Sequence, residues 1–325
     1  MKDSYFGVRA ISNTSLSYLN PEEKGCPEKF FDFLEGRIEE KESKAMLTGT
    51  LVHTAIFEPD KLQVMTMPKI SDSIKNIVEI VYQTVKEDEF NLTEELTNYE
   101  EEITAAAFEV KYGQNWKQDT LIKKVITEGG EEYFKMLVLN TGKILVPADV
   151  YANLAKIEAA LKMNPAASEI LFEAQDGKEI YNEKEIFFKA KELDCKAKID
   201  RLIIDHENKT FKIVDLKTTS ESVEFFPKLF YDRHVYRQLA MYEIAATKML
   251  NQEDKSYSPE THSLIVCETT GYHRVRRFDI SRNFINKGLI ELKSLLERVK
   301  WHLENNEKIH SMEDILSNFS FLIED

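Results

Sequence analysis

The chain has 325 residues, 42% of them hydrophobic and 31% charged, enough to bury a large core in one elaborated domain or in two. Its net charge of −14 argues against a protein that coats nucleic acid non-specifically but leaves room for a local basic groove, and three scattered cysteines, Cys26, Cys195 and Cys267, without CxxC spacing, indicate neither a disulfide framework nor a zinc or iron–sulfur site. No apolar run approaches the roughly 20 residues of a membrane helix, and the start M-K-D-S-Y-F-G lacks a signal peptide's apolar region, so no membrane partner and a cytoplasmic location are expected.

Near the N-terminus, Ser12 or Thr14 is placed to cap a short helix bearing Leu16 and Leu19. Pro27 opens another, with Phe30, Phe31 and Phe33. Residues 44 to 59 follow with Leu47, Leu51, Val52, Ala55 and Ile56 at helical spacing and Pro59 as the stop. Gly49 and His53 are four apart and share one side of that helix, so the glycine lets another backbone or a ligand approach near the imidazole. A satisfied core histidine is the plainer alternative.

From Pro68 to Glu132 the sequence is acidic and poor in motifs, with amphipathic helices expected over Ser71 to Lys86, Glu94 to Tyr112 and Trp116 to Glu128. Phe134 to Leu139 and Ile144 to Val146, around Asn140 to Lys143, suggest a small hairpin. Pro147 opens a helix to Met163, and Asn164-Pro165 starts a further one. Strands are expected around Glu185 to Phe188, with Glu185 facing solvent, and from Cys195 to Ile204. Beyond them come a loop with Phe225, Phe226 and Pro227, and a helix from Tyr231 to Leu250. That helix sets Gln238 and Tyr242 one turn apart, with Arg233 and Arg237 on a neighbouring face. A last hairpin carries His273, Arg274, Arg276 and Arg277, and with Arg282 it is the most basic short run. It reads either as a solvated edge or as a track for phosphates. A helix from Ser281 to Glu304 closes the main body.

The stretch from Lys198 to Thr219 organises the rest. Apolar runs Ile199 to Ile204 and Phe211 to Val214 flank a polar turn, a hairpin signal, and each run bears an acid, Asp200 and Asp215. Phe211, Ile213, Asp215 and Lys217 share one strand face, which begins oily and ends charged. Two carboxylates with the Leu216 carbonyl make the all-oxygen corner that Mg²⁺ or Mn²⁺ prefers. Asp/Glu-x-Lys occurs ten times, yet only the Asp215 copy follows an apolar strand paired to another acid-bearing strand. A strand-end salt bridge is the alternative.

Four signals occur in order: G-x-x-x-H at 49 to 53, an acid at Asp200, D-x-K at 215 to 217 and Q-x-x-x-Y at 238 to 242. Together they resemble the PD-(D/E)xK nuclease superfamily in its RecB-like branch. S-N-T-S-L, G-T-L-V-H-T-A-I-F-E-P, N-P-A-A, D-C-K-A-K-I-D-R-L, I-V-D-L-K-T-T and R-Q-L-A-M-Y are similar to phage and prophage exodeoxyribonuclease VIII, or RecE-like, nucleases. Lys198-Ile199 stands where that family often has Arg-Pro, which bears on phosphate contacts more than on metal binding.

The resemblance implies an α/β fold with a restriction-endonuclease-like core, a mixed central sheet flanked by helices, and helical additions. It divides a single elaborated nuclease domain into helices at 1–60, a helical elaboration at 61–165, the catalytic sheet and helices at 166–305 and a tail at 306–325. It further implies Mg²⁺, with Mn²⁺ able to substitute, held by His53, Asp200, Asp215 and the Leu216 carbonyl. Lys217 would orient or deprotonate the attacking water, Gln238 would position it, and Lys198, Arg233, Arg237 and Tyr242 would contact DNA. The implied activity is exonuclease action from duplex DNA ends, 5′ to 3′, by a homo-oligomer that leaves 3′ single strands for an annealing recombinase. The alternatives are a single-strand or structure-specific nuclease on the same core, or a non-catalytic DNA-binding accessory protein.

Overall fold

The computed structural model describes residues 4–38, 43–66, 68–86, 92–251 and 256–318, so residues 319–325 of the expected tail lie outside them. The chain divides into two units, Pro59–Ala155 and Lys2–Glu58 with Lys156–Asp325. The second unit begins with α1 (Ser4–Gly7), α2 (Asn13–Ser17), α3 (Pro27–Leu34) and α4 (Lys44–Phe57). Ser12, not Thr14, caps α2: its side chain accepts from Ser15 N, and Ser15 reaches back in a capping box.

In the first unit, β1 (Leu62–Met65) is followed by α5 (Asp72–Val85), α6 (Glu100–Glu109), α7 (Gln118–Val125) and α8 (Glu131–Leu139). Ile74, Ile77, Val78 and Val81, at helical spacing on α5, are fully buried against Ile103 and Ala107 of α6 and Val125 and Phe134 of the next two helices. Gly129 turns the chain between α7 and α8 with φ +96°, and a Cβ there would lie 2.6 Å from the Lys69 carbonyl oxygen. The hairpin expected over 134 to 146 does not form. Phe134 to Leu139 belong to α8, whose Tyr133 and Phe134 are buried in the helical core, and β2 (Ile144–Pro147) pairs in parallel with β1 instead. Tertiary burial of one helix face thus overrides a local turn signal. Helix α9 (Ala148–Met163) follows, starting directly after Pro147.

The second unit continues with α10 (Pro165–Leu171), capped by Asn164, and three strands, β3 (Lys178–Ala190), β4 (Leu193–Asp205) and β5 (Thr210–Thr219). Next come α11 (Phe226–Asp232), α12 (Val235–Leu250), β6 (Ser258–Pro259), β7 (Ser263–Glu268), β8 (Val275–Asp279), α13 (Arg282–Glu304) and α14 (Met312–Leu316). The sheet order is β3-β4-β5-β7-β8, with β6 beside the start of β5. The β5/β6 and β5/β7 pairs are parallel and the other pairs antiparallel. Parallel pairing of β5 with β7 needs a crossover, and α11 and α12 supply it. The expected loop at 225 to 227 is helical from Phe226, whose side chain is buried. The expected helix 231 to 250 is two, because His234 takes φ +48° between α11 and α12.

One side of α12, including Leu239, Ala240 and Ala246, packs on Leu202, Phe211, Ile213 and Leu264 of the sheet. A buried polar pin ties the same helix to β5. Where β5 passes from β6 to β7, the Ile213 amide donates to His262 Nδ1 at 3.2 Å, so Nε2 carries the proton that it shares with Glu243 of α12 at 2.9 Å. Arg282 Nη1 completes the pin by donating to both Glu243 oxygens, at 2.7 and 2.6 Å. Burial pushes the Glu243 carboxyl up, but His262 and Arg282 outweigh it and hold it below its ordinary value.

Candidate active site

The β4–β5 hairpin places Asp200 and Asp215 side by side. Asp215 is fully buried and Asp200 is 7% exposed. The backbone of β5 orients Asp200: the Leu216 amide donates to its Oδ2 at 2.8 Å. Lys217 turns back along its strand, donating to Asp215 Oδ1 at 3.1 Å and lying 2.9 Å from Oδ2. The Glu39, Glu42 and Glu253 copies of the same pattern fall outside the described residues.

Helix α4 brings the imidazole. Gly49 makes the approach possible, since a Cβ there would sit 3.2 Å from Thr218 Oγ1 on β5. One turn later His53 Nδ1 lies 3.6 Å from Asp200 Oδ2 and 3.7 Å from Glu183 Oε1, with the ring set edge-on against Phe57.

Glu183 is the residue that sequence reasoning missed. It stands on β3 opposite Asp200, between the paired positions Asn182↔Arg201 and Lys184↔Ile199, and takes a left-handed φ of +49°. A glutamate rarely adopts that conformation, which costs on the order of 1–3 kcal/mol and persists where the surroundings impose it. Strand alternation slips at the same point: Ile199 and Leu202, three residues apart, both enter the cluster beneath α12. Strict period-two reading therefore could not place Glu183, although the polar triplet Asn182-Glu183-Lys184 was a legible break. Glu185 is turned elsewhere, toward Tyr5 and Lys196.

The electrostatics follow from packing three acids against His53, Lys198 and Lys217. Burial raises the Asp200 carboxyl to about 7; His53 opposes this and Asp215 adds to it. For Lys217 burial pulls the ammonium down, but Asp215 and Asp200 outweigh it and the net shift is upward. Burial likewise pulls His53 down, while Asp200 and Glu183 carry it above its ordinary value. Burial raises Glu183, but His53 and Lys198 bring it lower overall.

The donor set suits a divalent cation. Ligand atoms of His53, Glu183 and Asp200 lie within 4.8 Å of one another, a triplet that does not include Asp215. Among the described residues, Glu183 Oε1 is buried without a hydrogen bond, with His53 Nδ1 3.7 Å away, and Asp215 Oδ2 is buried without one beside its ion contact to Lys217. Oxygens left in that state are what a hard cation satisfies.

The remaining candidates separate. Gln238 Nε2 donates to the Tyr242 hydroxyl at 2.8 Å. Tyr242 is 7% exposed, and its phenol is pushed well up by burial and by Asp200 and Asp215, so it faces the carboxylates. It is not placed to contact DNA. Arg237 is corrected likewise: its guanidinium is fully buried, donating to Glu23 at 2.6 Å, Glu291 at 2.8 Å, Ser17 at 2.8 Å and Asn13 at 2.9 Å. Arg233 is exposed and close enough to act on the Lys217 ammonium. Lys198 Nζ lies 3.1 Å from Glu183 Oε2. The basic run is ion-paired: Arg274 and Arg276 both meet Glu224, Arg277 meets Asp279 and Glu169, and Arg282 meets Glu243. No helix among the described residues is long and apolar enough to cross a membrane.

No curated protein matches the sequence. Among solved structures, the chain is similar to a Eubacterium rectale protein described as a "Putative exonuclease", with 11% identity, TM-score 0.51, and coverage of 100% of this chain and 95% of that one. At that identity the likeness speaks for the fold. Residues 15–315 match the pattern of the PDDEXK-like domain of unknown function (DUF3799). With a mixed sheet, an acid-bearing hairpin and the D-x-K at Asp215 and Lys217 within that match, the chain belongs to this PDDEXK-like family.

Proposed function

We propose that the protein is a Mg²⁺-dependent exodeoxyribonuclease that hydrolyses phosphodiester bonds from duplex DNA ends. The observation that carries this is the convergence of His53, Glu183 and Asp200 beside the Asp215–Lys217 pair, with two buried carboxylate oxygens short of hydrogen bonds. His53, Glu183, Asp200 and Asp215, with the Leu216 carbonyl, would hold one or two cations; Mn²⁺ fits the same donors. Bound there, the cation supplies charge against the phosphate's oxygens and makes water a better nucleophile.

The protein's own groups do the rest. Lys217, held protonated by two carboxylates, contributes positive charge toward the developing phosphorane more readily than it accepts a proton. Gln238, fixed by Tyr242, is the amide that would orient the attacking water, and Tyr242 stays a neutral phenol beside the acids. Arg233 and Lys198 are the candidate phosphate contacts. The resemblance to RecE-like nucleases supports 5′ to 3′ polarity, a homo-oligomer and a single-strand annealing recombinase as partner.

The test is digestion of end-labelled linear duplex with and without Mg²⁺, beside a closed circle. Degradation of the linear form alone, requiring the metal and lost in Asp215→Ala while the fold is retained, is the expected result. Equal cutting of the circle would remove the end requirement, and undiminished activity of Asp215→Ala would show that the site lies elsewhere.

A further inference from the structure

Two large aromatic side chains stand in water at the carboxyl end of the parallel strands β5 and β7. Phe225 is 63% exposed and Tyr272 is 92% exposed. They sit on different loops, and hydrogen bonds stitch those loops together. The Thr269 amide donates to the Thr219 carbonyl at 2.8 Å, and Thr270 Oγ1 donates to the Ser220 carbonyl at 3.4 Å. Arg274 Nη2 reaches Ser222 Oγ at 2.8 Å, and the Val223 amide donates to the buried Glu268 carboxylate at 3.1 Å. The two loops that carry these rings are therefore joined to each other.

Leaving a Phe side chain in water forgoes roughly 1.5–3 kcal/mol of burial, so packing does not explain these positions. Location does suggest a use. Open α/β sheets bind ligands beyond the carboxyl ends of their strands, and Thr219 lies two residues past Lys217, roughly 7 Å at the strand rise. The chemistry narrows it further. Arg274 is shared between Glu268 and Glu224, and Arg276 also pairs with Glu224, so this rim offers π faces with little unbalanced charge. Unpaired bases stack on such faces whatever their sequence, whereas a duplex keeps its bases stacked inside.

We propose that Phe225 and Tyr272 form a stacking platform for the unpaired end of a DNA strand beside the Asp215–Lys217 motif; the assignment to DNA rests on the nuclease reading above. The platform is tested by anisotropy titration of the full chain carrying Asp215→Asn, which cannot cut, with fluorescein-labelled oligothymidylate. Phe225→Ala and Tyr272→Ala are each expected to weaken binding about tenfold, Tyr272→Phe to restore it, and the salt slope to stay constant. With Asp215 intact, the ring variants should hydrolyse bis(p-nitrophenyl) phosphate with Mn²⁺ as fast as the parent chain, because they leave His53, Glu183, Asp200, Asp215 and Lys217 unchanged. Equal affinity of parent and ring variants for the oligonucleotide overturns the platform, even if nuclease activity is found. Ring-dependent binding by a parent chain that hydrolyses neither DNA nor the small diester overturns the nuclease reading and leaves the platform standing.

Discussion

Asp200→Asn is expected to make the metal-free protein more stable at alkaline pH and indifferent to magnesium. Asp200 is 7% exposed, and burial first, then Asp215 and Glu183, raise its carboxyl from 3.8 to about 7 against the pull of His53 and Lys217. A carboxylic acid with a raised folded pKa keeps its proton where the unfolded chain has released it. The resulting penalty is absent below 3.8, grows as pH rises, and is complete above about 7. At about 1.4 kcal/mol per pH unit this comes to about 4 kcal/mol as an upper bound, and to under about 2 kcal/mol at pH 5. Asparagine removes the charge, and its side-chain oxygen can still accept from the Leu216 amide. Thermal unfolding in EDTA should therefore favour the variant strongly at pH 8 and much less at pH 5. Added Mg²⁺ should raise the midpoint of the parent chain only, and more at pH 8 than at pH 6, because the ion competes with the Asp200 proton. A stability difference independent of pH, or equal stabilisation of both proteins by Mg²⁺, would refute the reasoning.

Lys217→Ala is expected to lower the rate of DNA hydrolysis by roughly 10²–10³-fold, read in single-turnover digestion with the fold checked by circular dichroism. Arg237→Ala leaves Glu23 and Glu291 without their buried cation and should cost about 3–5 kcal/mol in urea unfolding. Its DNA binding at saturating folded protein should keep the parent's salt dependence, whereas a reduced slope would return Arg237 to the phosphate contacts. Gly49→Leu pushes α4 away from Thr218 Oγ1, now 3.2 Å from where a Cβ would lie, and so shifts His53. Activity should fall roughly tenfold to a hundredfold with a raised Mg²⁺ requirement; an unchanged metal midpoint would show that α4 can be displaced without cost to the site.

Reading along the chain succeeded where one local pattern had a single structural solution. The 198 to 219 hairpin, the helix of Gly49 and His53 and the 282 to 304 helix follow from periodicity and breakers, and the structure builds all three. It failed where distant packing decides. The 134 to 146 segment carries a turn signal, but Phe134 is needed in a helical core, and the strand after it finds a parallel partner at Leu62 to Met65. Arg237 looked like a phosphate contact because a sequence does not reveal that Glu23 and Glu291 converge on it.

By itself the order of residues singled out Asp200, Asp215, Lys217 and His53 as candidates, because period-two and period-3.6 spacing set the face on which each stands, but it did not single out Glu183. Only the folded arrangement decided the company they keep. Glu183, itself left-handed at φ +49°, joins His53 and Asp200, Tyr242 turns inward to the carboxylates, and the buried Arg237 is taken up by the half-buried Glu23 and Glu291. Each of these outcomes depends on contacts between segments far apart in the chain, whose burial energies outweigh the local preferences that a sequence displays.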